Sequence, residues 1–284
     1  MGNEQKRFTN FKIHTQYSIC EGAIKIADLA KYCKENKIQS IGLSDSFNLC
    51  GALEFSEEIS KAGTQPIIGS QINFKFYDSI GKIPIFSKTE KGFRNLTKLS
   101  SKSYLEVEEG IIAHCLIDDL IKNSDDLIIL SGGIDSLFSE LIKKSNIKQL
   151  EEIVLKLKET FLDRFYFEIQ RHGDLGEKNI ENIFINLSDK FEVPLIASQE
   201  VFYIDKEMHE AGDRGETGGG QRQRLGDQPQ PDQRLVDHPF ARQHKKPRIG
   251  AHDIGGPERQ DRQHQHQPLA FGRHSVGDDP RQRV

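Results

Sequence analysis

The polar residues with chemistry to offer fall in short stretches, each at the end of an apolar run: His14, Ser44-Asp45-Ser46, Ser70-Gln71, Ser131-Gly132-Gly133, Gln170-Arg171-His172 and Ser198-Gln199-Glu200. Arg171 with His172 could bind a phosphate, or Arg171 could pair with Glu21 or Glu200 instead. Ser131-Gly132-Gly133 precedes a helical pattern, so its amides could cradle an anion at a helix N-terminus, or it could be an ordinary strand-to-helix turn. His14 reads first as a hydrogen-bonded interior histidine and second as a ligand. Asp45 could cap the turn from Asn48 to Gly51. The cysteines Cys20, Cys33, Cys50 and Cys115 contain no CxxC pair, which argues against a structural zinc site and a disulfide framework and for reduced thiols.

The elements that must position these groups alternate between strand and helix. Lys12-Ile13-His14 reads as a short strand. Ile26, Leu29, Ala30 and Cys33 have the spacing of one helix face. Ile38–Leu43 is a strand, Ala52–Ala62 a helix, and Pro66–Phe74 a longer strand. A turn near Asp78 leads to Ile83-Pro84-Ile85-Phe86, then to a helix carrying Phe93, Leu96 and Leu99. Leu127–Leu130 is apolar throughout, as in a strand covered on both faces. Helices are predicted over Ile134–Lys144, Ile147–Thr160 and Ile180–Phe191, with strands at Phe165–Ile169 and Pro194–Ala197 between and after them. Such alternation predicts a mainly parallel sheet with crossover helices, open or closed into a barrel. Chemistry in these folds sits at the C-terminal ends of strands.

After Ala211 the chain changes character. Isoleucine nearly disappears, most of the arginines and prolines lie beyond this point, and runs such as Gln263-His264-Gln265-His266-Gln267-Pro268 have no apolar period. Ordering backbone costs about 1–2 kcal/mol per residue, and a segment with so little to bury cannot offset that. Residues 212–284 are therefore expected to be disordered. The switch from residues of AT-rich codons to those of GC-rich codons marks them as a non-native join, against a genuine disordered tail as the alternative. The whole chain of 284 residues has a net charge of −4, which excludes a global electrostatic pull towards nucleic acid. No apolar run is long enough to span a bilayer, and the first residues lack the core of a secretory signal; a cytoplasmic location and no membrane partner are expected.

Several segments in register resemble the PHP (polymerase and histidinol phosphatase) domain of bacterial DNA polymerase III alpha subunits. His14-Thr15-Gln16-Tyr17-Ser18-Ile19-Cys20-Glu21-Gly22 is similar to that family's opening H-S-x-Y-S-x-x-D-G element. Ser44-Asp45-Ser46-Phe47-Asn48-Leu49-Cys50-Gly51 resembles its T-D-x-x-N-L-x-G. Lys61-Ala62-Gly63 with Pro66-Ile67-Ile68-Gly69, Gly92-Phe93-Arg94-Asn95-Leu96, Leu130-Ser131-Gly132-Gly133 and Glu168-Ile169-Gln170-Arg171-His172-Gly173 follow in order. Together they cover about residues 8 to 211. The resemblance implies a distorted β/α barrel of seven strands for residues 1–211.

It also implies a metal site, and here the sequence departs from the family. Active relatives hold several ions on His, Asp and Glu ligands that activate water against a phosphate ester. Lys12 stands for the first histidine, Ser46 for the histidine beside Asp45, Gln71 for a glutamate and Gly133 for a cysteine or histidine. The closing D-x-H is Glu200-Val201-Phe202. His14, Glu21, Asp45 and Glu200 remain, enough for at most one ion, and the Lys12 ammonium opposes even that. The expectation is a vestigial site with no catalytic residue, in an N-terminal piece of a replicative polymerase. Its role is that of scaffold and docking module for a proofreading exonuclease and other replicase subunits. The alternatives are a residual metal-dependent phosphoesterase or pyrophosphatase, and a free-standing enzyme of the histidinol phosphatase type, which Lys12 and Ser46 oppose. No cofactor is expected for these residues. The intact polymerase would use magnesium, and meet DNA, through regions outside this sequence.

Overall fold

The computed structural model describes residues 8–205 and a two-residue strand, Gln223–Arg224. All of them fall in the first of two units, Met1–Lys245. The expectations made for the rest of residues 212–284 lie outside the described residues.

The elements run β1 (Lys12–Ile13), α1 (Ile26–Glu35), β2 (Ser40–Ser46), α2 (Ala52–Lys61), β3 (Gln65–Phe76), β4 (Ser79–Ser87) and α3 (Glu90–Leu105). Next come β5 (Cys115–Leu116), α4 (Ile117–Lys122), β6 (Leu127–Leu130), α5 (Leu137–Lys143) and α6 (Ile147–Phe161). A 3₁₀ turn (Leu162–Arg164) leads to β7 (Phe165–Ile169), α7 (Glu177–Phe191), β8 (Leu195–Ala197), β9 (Glu200–Tyr203) and β10 (Gln223–Arg224). The sheet order is β10-β9-β1-β2-β3-β4-β6-β7-β8, with β5 added beside β3.

β8 pairs with β7 and β9 pairs with β1, both in parallel. Only Ser198 and Gln199 separate them, so the two ends of the sheet must meet, and the sheet curls round. Taken as the halves of one interrupted strand, β8 and β9 complete a seven-stave wall: the distorted β/α barrel expected from the sequence. The wall is mixed. β4 runs antiparallel to β3 and β6 because a tight turn at Tyr77-Asp78 returns the chain directly, with no crossover helix.

Strand alternation divides the staves between two environments. The outward set packs under the helices in two clusters. The smaller joins Ile13, Ile41, Leu43 and Val201 to Leu29 and Cys33 of α1 and Phe55 of α2. The larger lies beneath α3, α5, α6 and α7 and contains Ile72, Phe74, Ile83, Ile85, Phe165 and Phe167. In it Phe138, Phe165, Phe167 and Phe184 meet with ring centroids 5.1–6.3 Å apart, contacts worth about 0.5–1.5 kcal/mol each beyond burial. The inward set carries the polar residues that build the site.

Two local differences from the sequence reading have simple causes. The helix predicted from Ile134 begins at Leu137, because the Ser136 side chain accepts from Ser139 N and caps it there. β5 and α4 escaped notice because they are too short to show a period. The Gly-x-x-Asn pattern of α3 gains a physical reason. A Cβ on Gly92 would lie 2.2 Å from Asp126 O, and the Asn95 amide donates to Asp125 O at 3.0 Å, so both residues seat the helix on the turn before β6.

Candidate functional site: a polar barrel interior

Lys12 and His14 flank the outward Ile13, and Glu200 and Phe202 flank the outward Val201, so all four side chains enter the barrel. Gln71 on β3, Lys82 on β4 and Glu168 on β7 share that inward parity. His14 is fully buried. Its Nδ1 lies 3.0 Å from Ser18 Oγ and its Nε2 2.9 Å from Glu200 Oε1. The Phe202 ring stacks on it, centroids 4.5 Å apart and planes 17° from parallel. The Gln71 amide reaches the same corner, donating to Glu200 Oε1 and lying 3.0 Å from His14 Nε2. Ser18 Oγ also donates to Asp45 Oδ1 at 2.8 Å and accepts from Ser46 N at 3.1 Å, linking the imidazole to β2.

Asp45 shares the parity of Ile41 and Leu43 and stands behind His14. It accepts from Thr15 N (2.7 Å) and Ser18 Oγ (2.8 Å) on Oδ1 and from Thr15 Oγ1 (2.8 Å) on Oδ2. It therefore does not cap the Asn48–Gly51 turn. Asn48 does, its own Oδ1 accepting from Cys50 N. The aspartate was the wrong choice because its oxygens face the loop after β1, where three donors converge.

Two ammonium groups lie among the carboxylates. Lys12 Nζ is 3.2 Å from Glu168 Oε1 and 3.4 Å from Glu200 Oε2, and Lys12 has no exposure. Lys82 Nζ is 3.2 Å from Glu21 Oε1 and 2.8 Å from Asp135 Oδ2. Burial alone would lower the pKa of Lys12, but Glu168, Glu200 and Asp135 together outweigh it and hold the ammonium above its ordinary range. Lys82 is raised for the same reason, burial opposing and Asp135, Glu21 and Glu200 prevailing. Burial would likewise raise the Glu200 carboxyl; Lys12, His14 and Lys82 hold it well below the usual carboxylate range. All three groups are charged at neutral pH.

Ser46 Oγ donates to Glu21 Oε2 at 2.5 Å. Gly133 leaves room that another side chain fills: a Cβ there would lie 2.1 Å from Gln170 Oε1. Gln170 in turn donates to Glu168 Oε1 at 2.6 Å, and Ser198 Oγ donates to the same oxygen. Lys12, His14, Glu21, Ser46, Gln71, Glu200 and Phe202 thus gather around one interior, with Asp45 behind His14 and Gly133 beside Gln170.

Arg171 pairs with Glu181, at 3.0 and 2.8 Å, rather than with Glu21 or Glu200. It follows β7 on the chain but turns towards α7. His172 Nδ1 is 3.0 Å from Glu177 Oε1, and its Nε2 accepts from Glu200 N at 3.3 Å. The turn Ser131-Gly132-Gly133 is closed from within, Gly133 O accepting from Ser136 N and Ser139 Oγ. His172, Asp174 and Glu177 offer ligand atoms close to one another. The Glu177 carboxylate, however, already accepts from the amides of His172, Gly173 and Asp174.

Glu168, Lys82 and Asp135 were missed by sequence reasoning. The signal existed for two of them. A glutamate at the centre of Phe165-Tyr166-Phe167-Glu168-Ile169 and a lysine beside Ile83-Pro84-Ile85 interrupt strands that have little other polarity, and such a charge faces either solvent or a paired interior. Asp135 lies in a loop and gives no such sign.

The Lys12 and Lys82 ammonium groups stand among these carboxylates, and their charge opposes a cluster of divalent ions there.

A barrel of this topology, with its polar groups at the inner strand ends, is the architecture of the PHP domain, and a profile of that domain matches residues 10–172. The chain belongs to the PHP domain family. It is similar to the DNA polymerase III subunit alpha of Rickettsia conorii, 35% identical over 207 residues, and of Haemophilus influenzae, 31% identical over 214. These alignments cover 72% and 74% of this chain and 18% of each relative, so the chain spans less than a fifth of their length. The alpha subunit of Borreliella burgdorferi is 34% identical, over 74% of this chain and 19% of the relative. Among solved structures, an amidohydrolase from Chromobacterium violaceum superposes with a TM-score of 0.42 at 9% identity, covering 68% of this chain and 87% of that one. Among the described residues no helix is long and apolar enough to cross a membrane.

Proposed function

We propose that this chain is the PHP portion of a replicative polymerase of the alpha-subunit type. It serves there as a scaffold and docking module for a proofreading exonuclease and does not hydrolyse phosphate esters itself. The observation that carries this reading is the Lys12 ammonium, held between Glu168 and Glu200 where phosphoesterases of this fold need a cation-binding pocket. Similarity to polymerase alpha subunits supplies the replicase context. Polymerisation, its magnesium ions and contact with DNA belong to regions outside this chain, and the location is the cytoplasm.

The test is direct binding. The full chain is immobilised and the proofreading exonuclease subunit encoded by the same genome is passed over it; saturable one-to-one binding is expected, and none at micromolar concentration sinks the docking role. A parallel assay with manganese or zinc and a phosphate monoester or pyrophosphate addresses residual phosphoesterase action. Turnover that disappears in His14→Ala would replace the scaffold reading with that one.

A further inference from the structure

We propose that the surface formed by the last turn of α3 and the segment leading into β5 is a docking face for a partner helix whose apolar stripe is bordered by lysine or arginine. Five of the thirteen large apolar side chains exposed among the described residues fall in this one stretch: Tyr104, Leu105, Ile111, Ile112 and Leu116. Leu105 is 82% exposed and Ile112 65%. Ser103 O accepts from His114 N at 3.0 Å, which folds the second segment back onto the end of α3 and brings the two sets together. Leu116 extends the face past Cys115, whose thiol turns inward to donate to Leu99 O. Exposed apolar residues scattered singly are ordinary; a cluster of them marks a contact surface.

The charge around this face selects the partner. Residues 105–119 contain Glu106, Glu108, Glu109, Asp118 and Asp119 and no lysine or arginine. Lys102 pairs with Glu106 and Asp119, at 2.8 and 2.9 Å. The exposed Glu108, Glu109 and Asp118 have no ion pair among the described residues. Such a border repels nucleic acid, an anionic membrane and the same face of a second copy, and it attracts a basic surface. The backbone selects a helix over a strand. Ile111 N donates to Glu108 O, His114 N to Ser103 O and Leu116 N to Asp119 Oδ2, while Ala113 O accepts from the Asn73 amide. With these groups satisfied from within, the segment offers no row of free donors and acceptors for strand addition. Affinity must then come from side chains laid against an amphipathic helix.

The probe is a labelled synthetic helix of about five turns, with leucine on one face and lysine on the other, titrated with the full chain and read by fluorescence anisotropy. Saturable binding with a Kd below about 100 µM is expected at low salt, weakening as salt screens the acidic border. Leu105→Asp combined with Ile112→Asp should weaken it about tenfold or more. Glu108→Lys combined with Glu109→Lys should weaken it by a similar factor and flatten its salt dependence. All four side chains are exposed, so the thermal midpoints should not move. Leu155→Asp and Leu175→Asp, at exposed positions elsewhere on the chain, should bind as the unaltered chain does. No binding, binding indifferent to the face variants, or equal binding of a helix with glutamate in place of lysine overturns the proposal. So does a dimer of the unaltered chain, seen by light scattering, that Leu105→Asp with Ile112→Asp dissociates, because a second copy would then be the occupant.

Discussion

The Lys12 ammonium on β1 and the Glu168 carboxylate on β7 lie 3.2 Å apart although β2, β3, β4 and β6 stand between their strands along the sheet. Through the closure of the wall only the β8–β9 stave separates them, so the pair spans that closure and ties the beginning of the described chain to its later part. Removing one member of a buried pair usually costs about 3–5 kcal/mol, because the other is left charged and unpaired. The interior should therefore be the most substitution-sensitive part of the domain.

Stability should form a plateau bounded by these charges. Glu200 is held below its ordinary value of 4.5, so its contribution is complete above that value and is lost as pH falls through the lower folded one. Lys12 is held above 10.5, so its contribution is complete below that value and is lost as pH rises through the higher folded one. Urea midpoints measured across pH should be flat between the two limits. Glu200→Gln should lower the plateau and flatten the acid limb; an unchanged acid limb would show that the carboxylate is not under this field.

Asp45→Ala should destabilise the fold by about 3 kcal/mol or more, since it strands the Thr15 amide and the Thr15 and Ser18 hydroxyls in a buried site. Asp45→Asn retains one carbonyl for Thr15 N and should cost less. Equal losses in chemical denaturation would contradict the donor assignment.

Gly133→Ala drives a methyl into the Gln170 amide, which cannot move without breaking its bond to Glu168. The expected cost is about 1–3 kcal/mol. Gln170→Ala removes the obstacle, so the double variant should lose less than the sum of the single changes. A double-mutant cycle that proves additive would mean the two positions do not compete for space.

Thiol labelling separates the cysteines by burial. Cys20 and Cys50 are exposed, while burial pushes the Cys33 thiol up to about 11 and the Cys115 thiol to about 12. Near pH 8 an aromatic disulfide reagent should modify Cys20 and Cys50 within minutes and the other two only in denaturant. Peptide mapping that finds Cys33 modified in the folded chain would place α1 away from the sheet.

Much of the architecture was legible beforehand. α1 shows its buried face in the spacing of Ile26, Leu29, Ala30 and Cys33, and β6 shows two-sided burial in four consecutive apolar residues. Lys12, Ser46, Gln71 and Phe202 were singled out beforehand as motif positions, and strand parity turns all four away from the helix-covered faces of Ile13, Leu43, Ile72 and Val201. β5 and α4 were not, since two and six residues carry too little period to read.

By itself the sequence determined the order of strands and helices and the chemical type at each inward position, because alternation and apolar spacing are local properties of the chain. Only the tertiary structure decided which charges meet. Glu168 finds Lys12, Arg171 turns to Glu181, and Gln170 fills the space beside Gly133 because barrel closure sets those distances. Closure is a property of how distant strands pair, and no local pattern of residues encodes it.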